Sequence, residues 1–192
     1  DPQDIEPRWK RPSATLLAED FQNLDRFYKF VWDARKVDLR RIGYFVVAPF
    51  ANATLRCMNY GRWLDIIRAL GTRRPVVVVG NSGLRLPDTD MSAGSFNQAV
   101  GSIGGGVFNA VDSTSLRVLM ALIARSTGVI SLDSAPLYIA QALNVPAISI
   151  WGTHAPGARI GYDKNYMDLA IWKQDACQNS PCFAYTHFPV DK

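Results

Sequence analysis

Apolar positions along this chain follow two periods that alternate. Short runs rich in β-branched residues, GYFVVAPF (43–50), PVVVVGNSG (75–83), GVFNAV (106–111), GVISL (128–132) and PAISIW (146–151), read as strands. Helical spacing fills the intervals. YGRWLDIIRALG (60–71) predicts an amphipathic helix ended by Gly71. SLRVLMALIARST (115–127) predicts another, apolar at Leu116, Leu119, Met120 and Ile123 and capped by Ser113 or Thr114. DSAPLYIAQALNV (133–145) predicts a third, with its stripe on Leu137, Ile139, Ala140 and Leu143. Asp133 and Ser134 can cap that helix, and Pro136 fits its first turn. Residues 84–103 read as irregular, with a short helix around 92–100, and MDLAIW (167–172) reads as an edge strand. Upstream, residues 14–37 place Leu17, Phe21, Leu24, Phe27, Tyr28 and Val31 at helical spacing, for a helix or helix pair docked on the body. Residues 1–13 read as an arm, and the C-terminal tail as loop-rich.

This alternation predicts an α/β fold: a Rossmann-like parallel sheet with right-handed crossovers, helices on both faces and an N-terminal helical appendage. The division expected is an arm and helix over 1–42 and the sheet domain over 43–192. The runs at 128–132 and 146–151 read as strands covered on both faces. A strand order of 3-2-1-4-5 makes 43–50 and 128–132 neighbours at the topological switch point, where α/β proteins hold ligands. The turns PFANATLR and DSAP then face each other and gather Asn52, Thr54, Arg56, Asp133 and Ser134 around one crevice. Free N–H groups at the start of the helix after Asp133 favour a phosphate there.

Length and composition narrow the picture. A chain of 192 residues, 48% hydrophobic with five tryptophans, fits one globular domain with a long appendage, or two very small domains. The formal charge of +4 is modest, and the basic residues are scattered apart from RWKR (8–11) and DARKVDLRR (33–41). This reads as a solvated basic face and not as a nucleic-acid surface, though an anionic substrate or a membrane surface also suits the sign. No apolar run is long enough to span a bilayer, and the polar, proline-rich first residues are unlike a signal peptide, so the expected location is cytoplasmic, with peripheral contact at the inner membrane surface as an extension. Three cysteines argue against a disulfide framework. Cys177 and Cys182 flank QNSP, with His187 nearby, and read as structural residues, a small disulfide or half of a metal site.

Several chemistries lack their motifs. There is no Walker lysine, no G-x-S-x-G elbow and no H-E-x-x-H. GSIGGG (101–106) precedes a strand instead of following one, the wrong side for a dinucleotide loop. His154 and His187 lie far apart, and the residues alone do not make either catalytic. What remains suits a nucleotide diphosphate. Helix N–H groups and small hydroxyls bind phosphate, and Arg56 offers charge where a leaving pyrophosphate develops it. Asp133 suits sugar hydroxyls, or caps its helix.

The pattern FVVAPFAN, Arg56 and Trp63, followed by SLRVLMALIARSTGVISLDSAPLYIAQALNVPAISIWGTHAP, resembles the second half of the heptosyltransferases of glycosyltransferase family 9. The likeness runs over about residues 43–185 and is most specific at 113–157. It implies a GT-B enzyme of which this is the donor-binding domain, with an ADP-sugar as substrate and no cofactor or metal. Carried over by position, Arg56 stands where the family has a phosphate-facing lysine, and Ala51 and Asn52 where it has threonines. Ser134, Ala135 and the backbone at Pro136 hold the diphosphate, Thr114 packs by the adenine, and Asp133 meets the sugar. Thr54, Asn81, Tyr138 and Gly152 complete the expected substrate site, with Arg56 and Asp133 as the catalytic pair. Tyr138 replaces a family histidine, Ser134–Ala135 replaces Thr-Gly, and Arg56 replaces lysine. The implied reaction is inverting transfer of a heptose-like sugar from a nucleotide diphosphate to a lipopolysaccharide or other glycan or protein acceptor. The acceptor side, with its general base, belongs to a first domain that residues 1–42 do not resemble; it calls for another domain or a partner chain. The alternative is a module that binds nucleotide sugars, or a protein, without catalysis.

Overall fold

The computed structural model describes residues 18–83, 91–161, 163–173 and 175. The expectations for residues 1–13, Leu17, Cys177, Cys182 and His187 fall outside them. Six parallel strands form one sheet: β1 (Phe45–Ala48), β2 (Val76–Val78), β3 (Val107–Asn109), β4 (Gly128–Leu132), β5 (Ala147–Trp151) and β6 (Ala170–Trp172). Their order is β3-β2-β1-β4-β5-β6, which places β1 and β4 side by side at the switch point, with Val46 opposite Val129. The helices are α1 (Ala18–Arg35), α2 (Leu39–Ile42), α3 (Tyr60–Gly71), α4 (Ala93–Ile103), α5 (Leu116–Arg125), α6 (Ala135–Ala142), α7 (Gly157–Ile160) and α8 (Lys164–Met167).

Successive strand residues point to opposite faces, and the two faces have separate cores. Val46, Val77, Phe108 and Val129 pack with Leu24, Tyr28 and Val31 of α1, Leu122 of α5 and Leu137 of α6. Val47, Val76, Val78 and Ile130 pack with Trp63 and Ile67 of α3 and Phe96 of α4. β4 is buried throughout, as a central strand should be. β5 departs from the two-face expectation: its burial alternates, and Ile148 is 37% exposed, because α3 and α4 pack over the β1–β3 side and leave this flank of the sheet open.

Local signals moved several boundaries. Ser115, and neither Ser113 nor Thr114, caps α5: its extended backbone turns its Oγ to accept from the N–H of Val118 at 3.3 Å. Gly71 is the last residue of α3, and Thr72 caps it. α4 runs to Ile103, three residues beyond the expected helix, because Ser92 caps it and Phe96 and Val100 are buried. The edge strand shortens to Ala170–Trp172, since Asp163 caps a helical turn over Lys164–Met167.

The N-terminal helix is tied to the sheet by polar as well as apolar contacts. Tyr44 is fully buried; its hydroxyl donates to the carbonyl of Leu122 at 2.8 Å and lies 2.9 Å from the Tyr28 hydroxyl. Burial pushes the Tyr44 phenol far above its ordinary pKa, so it keeps its proton. Arg117 Nε of α5 donates to the buried Asp20 of α1 at 2.9 Å. Tyr44→Phe should therefore lower the unfolding free energy by about 1–3 kcal/mol, because it strands the Tyr28 hydroxyl in the core. In urea titrations the Tyr28→Phe/Tyr44→Phe double variant should lose less than the two single losses combined; strict additivity would show that the hydroxyl pair does not hold α1.

Candidate functional site

Parallel strands put all their carboxyl ends on one side of the sheet, and the loops there build the site. β1 exits into Phe50 and Ala51, both buried, then into a 3-10 turn over Thr54–Arg56. Gly152, just past β5, lets that turn approach: a Cβ at Gly152 would stand 2.6 Å from the carbonyl oxygen of Leu55. The turn is thereby seated against the end of β5, and Arg56 reaches across to the end of β4.

Arg56 Nη1 donates to the backbone oxygen of Asp133 at 3.1 Å and lies 3.5 Å from its carboxylate Oδ2; Nη2 bonds Oδ1 of Asn52. The two charged side chains are 14% and 4% exposed, so the pair lies largely out of water. Asp133 Oδ1 accepts the hydroxyl of Tyr138 at 2.6 Å. Neither Asp133 nor Ser134 caps α6 as expected. Ser134 occupies the cap position without a side-chain hydrogen bond to the helix, its Oγ pairing with Ser131 Oγ at 3.1 Å. The start of α6 is thus left without a side-chain cap.

A cavity of about 670 Å³ opens above these groups. Asn52, Arg56, Ser134 and Tyr138 border one end, together with Ala51, Ala135 and Pro136. Asn81 and Thr114, from the loops after β2 and β3, border the other. Two expected site residues are absent from its border: Asp133 is only 3% exposed and sits beneath the wall, and Gly152 serves the close approach just described. Thr54 is the first residue of the 3-10 turn.

The apolar wall was not anticipated. Phe50, Val79, Leu116 and Leu119 supply it, with Leu116 62% exposed. The sequence pattern places Leu116 and Leu119 on the apolar stripe of α5, but at the start of that helix they face the cavity and not the core. Gly80 shapes this wall, for its φ of +147° is one that L side chains rarely adopt, and a Cβ there would come within 2.2 Å of the Phe50 ring. The loops after β2 and β3 are pinned together, since Asp112 donates its N–H to the carbonyl of Gly80 at 2.9 Å and its Oδ1 accepts from the N–H of Ser82 at 2.8 Å.

Two other expectations resolve. The glycine run ends α4 and leads into β3 at the amino edge of the sheet, beside a separate cavity of about 570 Å³ lined by Arg68, Thr72 and Gly104, among others. His154 follows β5 in the core, 1% exposed, with Nδ1 3.0 Å from the Thr153 hydroxyl. Burial lowers its pKa from the ordinary 6.5, and the nearby Asp133 partly opposes the shift. Among the described residues no cluster of His, Cys, Asp and Glu could hold a metal, and no helix is long and apolar enough to cross a membrane.

Comparison with known proteins matches residues 43–187 to the model of glycosyltransferase family 9 (heptosyltransferase). Lipopolysaccharide heptosyltransferase 3 of Escherichia coli is 33% identical over 120 residues, which are 62% of this chain and 34% of that protein. The structure of E. coli ADP-heptose lipopolysaccharide heptosyltransferase II aligns with a TM-score of 0.54 at 17% identity, covering 74% of this chain and 40% of that one. The dodecameric iron-containing heptosyltransferase TibC of enterotoxigenic E. coli, solved with ADP-D-β-D-heptose, aligns at 0.53 and 14% identity over 79% of this chain and 44% of that one. At such identities the solved structures speak to the fold. The chain spans about a third of the length of the curated relative it matches.

Two outcomes follow from the geometry. Gly80→Ala should cost about 1–3 kcal/mol of stability, from backbone strain and displacement of the Phe50 ring, read as a lower urea midpoint; an unchanged midpoint would mean that the wall gives way freely. For His154 the sign is set by its lowered pKa. Above about pH 6.5 the imidazole is neutral both folded and unfolded, and its contribution is complete. As pH falls below that value the unfolded chain takes up a proton that the folded one refuses, so stability is lost until the folded pKa is passed. His154→Asn should flatten this acid-side loss in melting curves taken from pH 7.5 to 5.

Proposed function

The chain belongs to glycosyltransferase family 9, and on that premise we propose that it is the donor-binding part of a heptosyltransferase-like enzyme, holding a nucleotide diphosphate sugar of the ADP-heptose kind in the 670 Å³ cavity. The observation that carries this reading is the bridge from Arg56 to Asp133, which closes the crevice between β1 and β4 and leaves the guanidinium at the cavity border beside the uncapped start of α6. That combination suits a diphosphate: a bidentate cation on one side, backbone N–H groups and the helix dipole on the other. The nucleoside lies toward the apolar wall, near Asn81, Thr114 and Leu116.

In this reading transfer is an in-line displacement. The acceptor hydroxyl attacks the anomeric carbon, the bond to the diphosphate breaks, and the nucleoside diphosphate leaves with its charge met by Arg56 and the N–H groups at Ser134 and Ala135. The anomeric centre inverts in a single displacement. No cofactor or metal enters. The base that takes the acceptor proton is assigned to an acceptor-binding domain or partner chain, since the matched region makes up only 34% of the curated relative and 40% of the solved heptosyltransferase II. The proposed acceptor is a lipopolysaccharide core or another glycan or protein.

A second reading, a nucleotide-sugar-binding module without transfer, draws on one feature: Arg56 is the one charged residue bordering the cavity among those described, and Asp133 already compensates it.

Calorimetric titration of the chain should show binding of ADP and of ADP-heptose. Arg56→Ala should weaken both by about 1.5–3 kcal/mol, roughly 10- to 150-fold, because both carry the diphosphate. Equal affinities in wild type and variant would remove Arg56 from the site. With a lipopolysaccharide-core acceptor, transfer should require an added acceptor-binding domain; binding that never leads to transfer even with one favours the second reading.

A further inference from the structure

We propose that Tyr138 is the residue that reads the transferred sugar, by accepting a hydrogen bond from one of its hydroxyls, and that Asp133 acts on the sugar only by setting the direction of the Tyr138 proton. This rests on the nucleotide-sugar reading above.

Asp133 cannot meet a ligand directly in this arrangement. Its side chain is 4% exposed, it does not border the cavity, and both carboxylate oxygens face protein groups, Oδ1 toward Tyr138 at 2.6 Å and Oδ2 toward Arg56 at 3.5 Å. Tyr138 does border the cavity. Its hydroxyl has a single proton, which it donates to Asp133. A carboxylate beside a guanidinium accepts hydrogen bonds and gives none. Toward a ligand the phenol oxygen can therefore act only as an acceptor, and the short charge-assisted bond behind it strengthens that character.

This polarity selects the partner. A phosphate oxygen is also an acceptor and cannot pair with it. A sugar hydroxyl can donate to it. The placement agrees. Strand order puts Asn81 and Thr114, after β2 and β3, at one end of the cavity, and Arg56 and Tyr138, around β1 and β4, at the other. A ligand with its nucleoside at the first end and its diphosphate against Arg56 and the start of α6 carries its sugar toward Tyr138, which lies one turn into α6 beyond Ser134.

The test is the ratio of affinities for ADP-heptose and ADP, measured by calorimetry on the whole chain as wild type, Tyr138→Phe, Asp133→Asn and the double variant, each checked by a melting curve. Tyr138→Phe should lower the ratio of ADP-heptose affinity to ADP affinity by about five- to tenfold. Asp133→Asn should change the affinity for both ligands through Arg56, yet in the Tyr138→Phe background it should not alter the ratio. A ratio unchanged by Tyr138→Phe overturns the proposal, as does a parallel loss for ADP, which would place the partner hydroxyl on the nucleoside. A further fall of the ratio in the double variant would restore a direct contact between Asp133 and the sugar, and would also overturn it. If Asp133→Asn does not fold, the Tyr138→Phe ratio decides alone. Wild-type protein that binds no ADP would sink the nucleotide-sugar reading itself; ADP binding with an unaltered ratio in Tyr138→Phe sinks only the role of Tyr138.

Discussion

A carboxylate taken almost wholly out of water must be matched by charge and hydrogen bonds, or the fold pays heavily for it. Asp133 is that carboxylate, and its match fixes the geometry of the crevice. Arg56 comes from the turn after β1, Tyr138 from the second turn of α6, and Asp133 itself from the end of β4. The three can meet only if β1 and β4 are neighbours and the 3-10 turn leans toward β5. Gly152 makes that lean possible by leaving space for the Leu55 carbonyl. Pairing of the strands and assembly of the site are therefore one constraint. A register slip of β1 against β4 would reverse the faces of β1 and leave Asp133 buried without its cation.

The two ends of the sheet are built differently. At the amino edge a run of small residues turns α4 into β3. At the carboxyl edge polar side chains are held by other polar side chains: Asn52 by Arg56, Ser134 by Ser131, Ser82 by Asp112. The apolar wall of Phe50, Val79 and Leu119 lies between these groups. A cavity with one greasy end and one hydrogen-bonding end suits a ligand that is itself divided, flat and apolar at one end, hydroxylated and charged at the other.

Much of this was legible in the residues. The β-branched runs and their spacing give the strands, and the alternation of periods gives their parallel order, because few crossovers are allowed. The block from Ser115 to Pro156 places Asp133 and Ser134 at the end of a strand before any coordinates are needed. The misses have physical causes. Ser113, Thr114 and Ser115 are all acceptable caps, and only the extended backbone at Ser115 selects one. Ile148 reads as core by its side chain, yet burial depends on whether a helix packs over that strand, which a local pattern does not state. The exposure of Leu116 and the positive φ of Gly80 are set by the loops after β2 and β3, which a local apolar pattern does not describe. Asp133 was expected to meet the sugar or cap its helix; its carboxylate lies beneath the cavity wall and bonds instead to partners 77 residues back and five residues on.

The same buried network bears on how an anion would be received. Arg56 brings the one formal charge at the cavity border among the described residues, and Asp133 cancels much of it. A diphosphate reaching the start of α6 would compete with Asp133 for a guanidinium whose two Nη groups already serve Asp133 and Asn52. Arg can share: its planar fork serves two oxygens along different edges, where a lysine would have to choose. On the resemblance, Arg56 and Tyr138 both depart from the family pattern, and both bond to Asp133, which keeps it. In the proposed site, arginine would keep the carboxylate compensated while turning an edge to phosphate, and that carboxylate, which already takes the Tyr138 proton, would leave the phenol oxygen to accept.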